Sequence, residues 1–344
     1  MIIINPIQKP SRKMDKKLFK DDSIFVAGAS GMAGSAICRS LRKNGYGDIN
    51  NGGNLFTPSS NELNLLNINE VEEWFNLNKP SVVVIAAAKV GGILANSTMP
   101  TEFLLENLKI QTNLIETAWK TGVRRLLFLG SSCIYPKFAN QPIEEEALLS
   151  GELESTNQWY AIAKISGIKL CEALRKQYNF DAISLMPTNL YGPGDNYHPQ
   201  NSHVMASLIK KFYYASKKSL PEVTCWGTGK PYREFLHVND LGDAVLFSLE
   251  NWDPESENAP MDKYGNKLCL LNVGSGNEIS IKDLANKISK LLNYKGGVLW
   301  DKSKPDGTPR KILNCQKINN LGWHSKISID EGILQTAKDL DEKY

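Results

Sequence analysis

The chain has 344 residues, enough to bury one large core or two unequal ones. Its 42% hydrophobic and 22% charged composition is that of an ordinary globular protein and excludes a fibrous or disordered class. Forty basic against 37 acidic side chains leave a net charge of +3, too weak a field to point to a nucleic-acid partner.

No apolar run is long enough for a membrane helix, and Met1-Ile-Ile-Ile-Asn5 is too short for a signal-peptide core. The expected location is cytoplasmic. The six cysteines (38, 133, 171, 225, 269 and 315) are scattered with no Cys-x-x-Cys pair, which predicts free thiols. With four histidines as well, no metal centre is expected. Residues 1–22 are polar and basic without periodicity and predict a flexible extension, in which Met14 is an alternative start.

Ser23–Ala27 predicts a first strand that runs into Gly28-Ala29-Ser30-Gly31-Met32-Ala33-Gly34 and then a helix to about Lys43. Strand, G-x-x-G-x-x-G turn and helix together point to dinucleotide binding. Glycine permits the tight turn and close approach, and the helix N-terminus offers free N–H groups to a pyrophosphate. A short second strand ends at Leu55-Phe56, where an acid would select NAD and a base the 2′-phosphate of NADP. Thr57-Pro58-Ser59-Ser60-Asn61 has neither, and its hydroxyls incline the reading to NADP.

Ser81–Ile85 predicts a third strand, followed by small residues (Ala86 to Ala88, Gly91, Gly92) suited to a close cofactor or simply to strand–helix packing. A helix over about 101–122 leads to the apolar run Leu126–Leu129 and then Ser131-Ser132-Cys133, small and nucleophilic residues where a buried strand runs out. If extended geometry persists there, Ser131 and Cys133 share a face. Glu144 to Glu146 predict a solvated acidic loop.

Tyr160-Ala-Ile-Ala-Lys164 places a phenol and an ammonium one helical turn apart. A nearby ammonium would lower the phenol pKa and ready it for proton transfer. Y-x-x-x-K is common by chance and gains its meaning from the glycine turn and the serine-bearing strand end. Asp181–Met186 predicts another strand. A substrate-facing lobe starts near 191, with a helix over about 204–215, a helix ending at Leu249, a strand over 268–273, a helix over 281–292 and a last helix over 329–340. Alternating strands and helices predict an α/β fold, a Rossmann-type doubly wound parallel sheet with a smaller C-terminal α/β lobe.

Ser131-Ser-Cys133-Ile-Tyr-Pro, Tyr160-Ala-Ile-Ala-Lys164, Met186-Pro-Thr-Asn-Leu-Tyr-Gly-Pro193, Asn201-Ser-His203, Arg233-Glu-Phe-Leu-His237 and Ser303-Lys-Pro-Asp-Gly-Thr-Pro-Arg310 resemble the GDP-L-fucose synthase family of extended short-chain dehydrogenase/reductases. The likeness runs from about Ser23 to the C-terminus. It implies conversion of GDP-4-keto-6-deoxy-D-mannose to GDP-L-fucose, with epimerisation at C3 and C5 before NADPH-dependent reduction at C4. It implies Cys133 as epimerisation base and His203 as acid. Tyr160 becomes the proton donor in reduction, Lys164 its tuner and ribose ligand, and Ser131 the partner of the C4 oxygen. Gly28 to Gly34, Leu129 to Ser132, Lys164, Pro187, Thr188, Asn189, Leu190 and His203 would line the cofactor, and Lys211, Trp226, Arg233 and Asp306 the substrate. His198 and His237 stay structural.

The resemblance also implies residues 23–190 with returning segments near 234–273 as the NADP-binding domain, and 191–233 with 274–344 as the substrate lobe. It implies a homodimer formed through the helix of Tyr160 and its neighbour. Two other readings stay open. One is another nucleotide-sugar 4-epimerase or 4,6-dehydratase, although dehydratases show Thr-Asp-Glu where this chain has Ser131-Ser-Cys133. The other is a catalytically silent NADP-binding sensor or scaffold.

Overall fold

The computed structural model describes residues 17–198, 202–304 and 306–343. In chain order the first elements are β1 (Ser23–Ala27), α1 (Met32–Lys43), β2 (Asn54–Phe56), α2 (Ile68–Asn78), β3 (Val82–Ile85), α3 (Ile93–Thr98), α4 (Pro100–Lys120), β4 (Arg125–Leu129), α5 (Gln158–Tyr178) and β5 (Ala182–Pro187). Then come β6 (Asn189–Tyr191), α6 (Val204–Lys217), β7 (Glu222–Trp226), β8 (Tyr232–His237), α7 (Val238–Asn251), β9 (Leu270–Val273), β10 (Glu278–Ser280) and α8 (Ile281–Leu291). The chain closes with β11 (Gly297–Asp301), β12 (Arg310–Lys311), α9 (Gln316–Leu321) and α10 (Ile329–Lys343).

Six parallel strands form the central sheet in the order β2-β1-β3-β4-β5-β9. Strands β3, β4, β5 and β9 are buried along their whole length, as continuous apolar runs covered on both faces must be. Helix α1 packs on α7, while α2, α4 and α5 pack as a row. The strand order reverses between β1 and β3, and ligands of open α/β sheets bind beyond the carboxyl ends at such a reversal.

A second hydrophobic cluster gathers Met205, Ile209, Phe212, Val223, Leu284, Ile288 and Ile333. Around it, β8 pairs with β6, β10 and β12, and β7 pairs in parallel with β11. Glu234 on β8 is fully buried and ties these segments together, accepting from Gly276 N at 2.7 Å and Leu313 N at 3.0 Å. Thr188 Oγ1 and Asn189 Nδ2 donate to its main-chain carbonyl at 3.3 and 2.8 Å, which joins the end of β5 to β8.

Two sequence expectations change here. Of the extension assigned to residues 1–22, residues 1–16 lie outside the described residues, but 17–22 are packed: Leu18 is fully buried and Asp22 pairs with Arg124. An apolar side chain and a carboxylate with a partner 102 residues away anchor this segment. The acidic run is solvated only in part: Glu144 is exposed, but its neighbour is not. Glu145 is fully buried in a short 3-10 turn, accepts Asn272 N at 3.0 Å and pairs with Lys317 at 2.9 Å. Burial raises its pKa, and Lys317, which also meets Glu144 and Glu146, supplies the opposing charge.

Candidate active site

The glycine turn lies in the crevice between β1 and β3. Gly28 holds φ +82, and a Cβ there would fall 2.7 Å from the Ala87 main chain, so the ends of β1 and β3 abut through backbone. Gly31 N–H donates to Gly28 O at 3.0 Å and closes the turn. A Cβ on Gly34 would stand 2.1 Å from Gly28 O. Helix α1 starts at Met32 with no side-chain cap and no acidic residue in its first turn. Its leading N–H groups therefore face the crevice with the positive end of the helix dipole, which fits a dinucleotide pyrophosphate. Gly34→Ala drives a methyl into main chain that cannot yield. We expect a stability loss of about 1–3 kcal/mol in thermal melts, and weaker NADPH binding in fluorescence titration. Unchanged affinity would mean that the turn does not carry the cofactor.

Beyond β2, the Glu62 carboxylate turns back to accept Ser59 N at 2.7 Å. The acid nearest this strand end is thereby occupied, leaving the hydroxyl-bearing stretch Thr57–Ser60.

The second half of the site forms where β4 ends. Gly130 follows because a Cβ there would meet the Met186 thioether at 2.4 Å. Ser131 is still extended, but the chain then turns into a 3-10 helix over Ser132–Ile134, and Ser131 Oγ accepts Cys133 N at 3.3 Å. Extended geometry thus stops at Ser131, and Ser131 and Cys133 do not share a face by strand alternation. The turn nevertheless keeps both near enough to Tyr160 to act on its phenol, Ser131 drawing its pKa down and Cys133 pushing it up.

Lys164 is buried one turn along α5 and donates from Nζ to Leu129 O at 2.8 Å, with the Phe128 ring 4.6 Å below it. Burial lowers its pKa to about 7. The Tyr160 pKa moves opposite to expectation. Burial raises it, the nearby Cys133 adds to the rise, and the hydrogen bond from Ser131 offsets only part. The Lys164 ammonium lies 5.9 Å from the centre of the Tyr160 ring and is engaged by the strand carbonyl, so it does not compensate. The phenol therefore keeps its proton at neutral pH, the state a proton donor needs.

Cys133 is half-buried and lines a cleft with Lys137, Glu154, Asn157, Thr308, Arg310 and Lys311, while Cys38, Cys171, Cys225 and Cys315 are buried. Lys311 Nζ stands 3.6 Å from Cys133 Sγ. The sequence reading stopped at Arg310 and missed this lysine; its adjacency to the Ser303–Arg310 motif was the available signal. His203 is exposed at the N-cap of α6 and its side chain makes no capping hydrogen bond. Desolvation by the surrounding protein still lowers its imidazole pKa. Asn201, its motif neighbour, lies outside the described residues.

The expected substrate residues sit on the second lobe. Trp226, 49% exposed at the end of β7, has the Lys211 and Lys304 ammonium groups 5.7 and 5.5 Å from its ring centre. Lys211 also donates to Thr224 O at 2.8 Å. Arg233 is half-buried on β8, and its guanidinium reaches Tyr232 O at 2.8 Å and Asp306 O at 3.4 Å. Burial lowers its pKa, against the nearby Asp306 and Cys133. The Asp306 carboxylate accepts from Thr228 N and Thr228 Oγ1, both at 2.7 Å, and fastens its loop to the turn after β7. Pro187 ends β5 and Thr188 N donates to Val273 O at 2.9 Å, which sets Pro187 to Leu190 at the sheet's carboxyl edge. His237 is buried, its Nδ1 accepting Asn239 N at 3.3 Å as the cap of α7.

Residues 24–260 match the model of the NAD dependent epimerase/dehydratase family. The chain is 52% identical over 320 residues to the probable GDP-L-fucose synthase 1 of Oryza sativa subsp. japonica, covering 93% of this chain and 92% of that one. It is 47% identical to the GDP-L-fucose synthase of Escherichia coli (strain K12), covering 91% and 94%. Among solved structures, a GDP-mannoheptose C4 reductase from Campylobacter jejuni with NADP bound superposes with a TM-score of 0.81 at 31% identity, covering 94% and 99%. A Rossmann-type sheet, a glycine turn and a Ser131–Tyr160–Lys164 group thus coincide with relatives matched along nearly their whole length, and the chain belongs to the GDP-L-fucose synthases of the NAD dependent epimerase/dehydratase family.

Proposed function

We propose that this protein converts GDP-4-keto-6-deoxy-D-mannose to GDP-L-fucose by epimerisation at C3 and C5 and NADPH-dependent reduction at C4. The observation that carries the reading is the convergence of Ser131, Cys133, Tyr160 and Lys164 on one strand end. Reduction alone needs the hydroxyls and the lysine. A solvent-facing thiol beside them has a use only if the sugar ring must also exchange protons.

The C4 ketone acidifies the C3 and C5 protons. Cys133 removes one as base, and His203 returns one from the other face as acid. Ser131 points a hydroxyl donor at the C4 oxygen, whose negative charge grows in both steps; such a donor is worth about 3–4 kcal/mol. When bound along Gly28 to Gly34, Leu129 to Ser132 and Pro187 to Leu190, NADPH supplies the hydride for C4. Tyr160 gives its proton to the C4 oxygen, and Lys164 holds the nicotinamide ribose. Trp226 offers a face for the guanine, flanked by two cations, and Arg233 suits the diphosphate with its planar fork.

In this reading residues 23–190 with 234–273 form the NADP-binding domain, and 191–233 with 274–344 the sugar-nucleotide lobe. The protein works in the cytoplasm; no described helix is long and apolar enough to cross a membrane. Two copies associate through α4 and α5, whose outer surfaces expose Leu105, Trp159 and Ile162. Light scattering of the purified protein tests the dimer. The activity is tested by mixing the enzyme with GDP-4-keto-6-deoxy-mannose and NADPH, following loss of reduced nicotinamide absorbance and identifying the sugar. GDP-L-fucose is the expected product, and no cofactor oxidation would refute the reading.

A further inference from the structure

Lys311 has no place in the chemistry described so far, yet its position is closely determined. It lies on β12, paired in parallel with β8 so that it stands beside Arg233. The strand is clamped on both sides. Arg310 makes a two-pronged bond to Glu278 at 2.7 to 3.1 Å, and Ile312 donates to Gln141 Oε1 at 2.9 Å while its carbonyl accepts Ile143 N at 2.8 Å. Lys311 is half-buried and pairs with no carboxylate among the described residues; its Nζ meets Cys133 Sγ at 3.6 Å.

Charged groups face the thiol from several elements. The Glu154 carboxylate in the same cleft is taken by Lys137 at 2.9 Å. Arg233 adds a second positive charge within electrostatic reach, but its hydrogen bonds among the described residues run to Tyr232 O and Asp306 O and none reaches the sulfur. The neighbouring Tyr160 stays a neutral phenol at physiological pH. That leaves Lys311 as the cation placed to hydrogen-bond the sulfur directly.

We propose that Lys311 is a positioning residue that holds Cys133 as a thiolate aimed at the sugar ring. The proposal rests on the reading of Cys133 as the epimerisation base. In the step it serves, the thiolate sulfur forms an S–H bond with the proton at C3 or C5. The C–H bond breaks, and its electron pair enters the enolate with the charge on the C4 oxygen. Lys311 keeps all three of its protons and loses its anionic partner as the thiol forms.

The test needs no substrate in its first arm. The full-length enzyme is treated with iodoacetamide at neutral pH, and Cys133 alkylation is followed by peptide mass spectrometry. Only the thiolate reacts, so Lys311→Met and Lys311→Gln should each slow Cys133 by about tenfold, while Lys311→Arg stays near the wild-type rate. In the second arm, deuterium uptake from D2O at C3 and C5 falls in parallel for the neutral variants and recovers with Arg. Alkylation at the wild-type rate in both neutral variants would overturn the proposal. So would a rise in substrate KM as their sole defect, which would make Lys311 a phosphate ligand instead. Slowed alkylation with undiminished deuterium uptake would keep Lys311 as the thiolate's partner and refute Cys133 as the base.

Discussion

Tyr160→Phe should abolish most reduction while sparing both the fold and cofactor binding. The ring stays and only the hydroxyl that donates to the C4 oxygen is lost, so packing changes little. Removing a positioned proton donor costs about 10²–10⁴-fold in rate, and here the donor is held in its protonated state by burial. The measurement is kcat for NADPH oxidation with GDP-4-keto-6-deoxy-mannose, alongside an NADPH titration. Deuterium exchange at C3 and C5 should survive in this variant, because Cys133 and His203 are untouched and Ser131 still faces the C4 oxygen. A kcat within a few-fold of wild type would remove Tyr160 from the chemistry.

Cys133→Ser should produce the complementary defect. The substitution is nearly isosteric and keeps a main-chain N–H that donates to Ser131 Oγ at 3.3 Å. A serine hydroxyl, however, does not ionise near neutral pH and cannot replace a thiolate as base. Deuterium uptake at C3 and C5 should fall by about 10²–10⁴-fold, with NADPH affinity unchanged. The ketone remains reducible, so slow NADPH oxidation should now yield the unepimerised GDP-6-deoxyhexose. If cofactor affinity collapses instead, the thiol has a structural role in the cofactor cradle.

The sheet was legible because parallel strands buried on both faces must be continuous apolar runs, as Val82–Ile85 and Leu126–Leu129 are. Tyr160 and Lys164 were legible because helical spacing alone puts them on one face. What local pattern cannot reveal is a partner distant in sequence. Glu145 looked solvated because Lys317, which permits its burial, lies 172 residues away. Lys311 escaped notice as the neighbour of Cys133 for the same reason, at a separation of 178 residues. Strand β7 alternates exposed and buried residues, but alternation marks a strand and not a ligand platform, so the Trp226 platform came from the motif resemblance and not from periodicity. The phenol pKa failed differently: proximity of an ammonium was inferred correctly from spacing, but the desolvation that outweighs it depends on tertiary burial.

The central claim is that one strand end serves two chemistries on one ring, and isotope labelling tests it most directly. With wild-type enzyme, GDP-4-keto-6-deoxy-mannose and NADPH in D2O, the product should be GDP-L-fucose with deuterium at C3 and C5 and an unlabelled hydrogen from NADPH at C4. A reduced product without deuterium at C3 and C5 and with the manno configuration retained would contradict it.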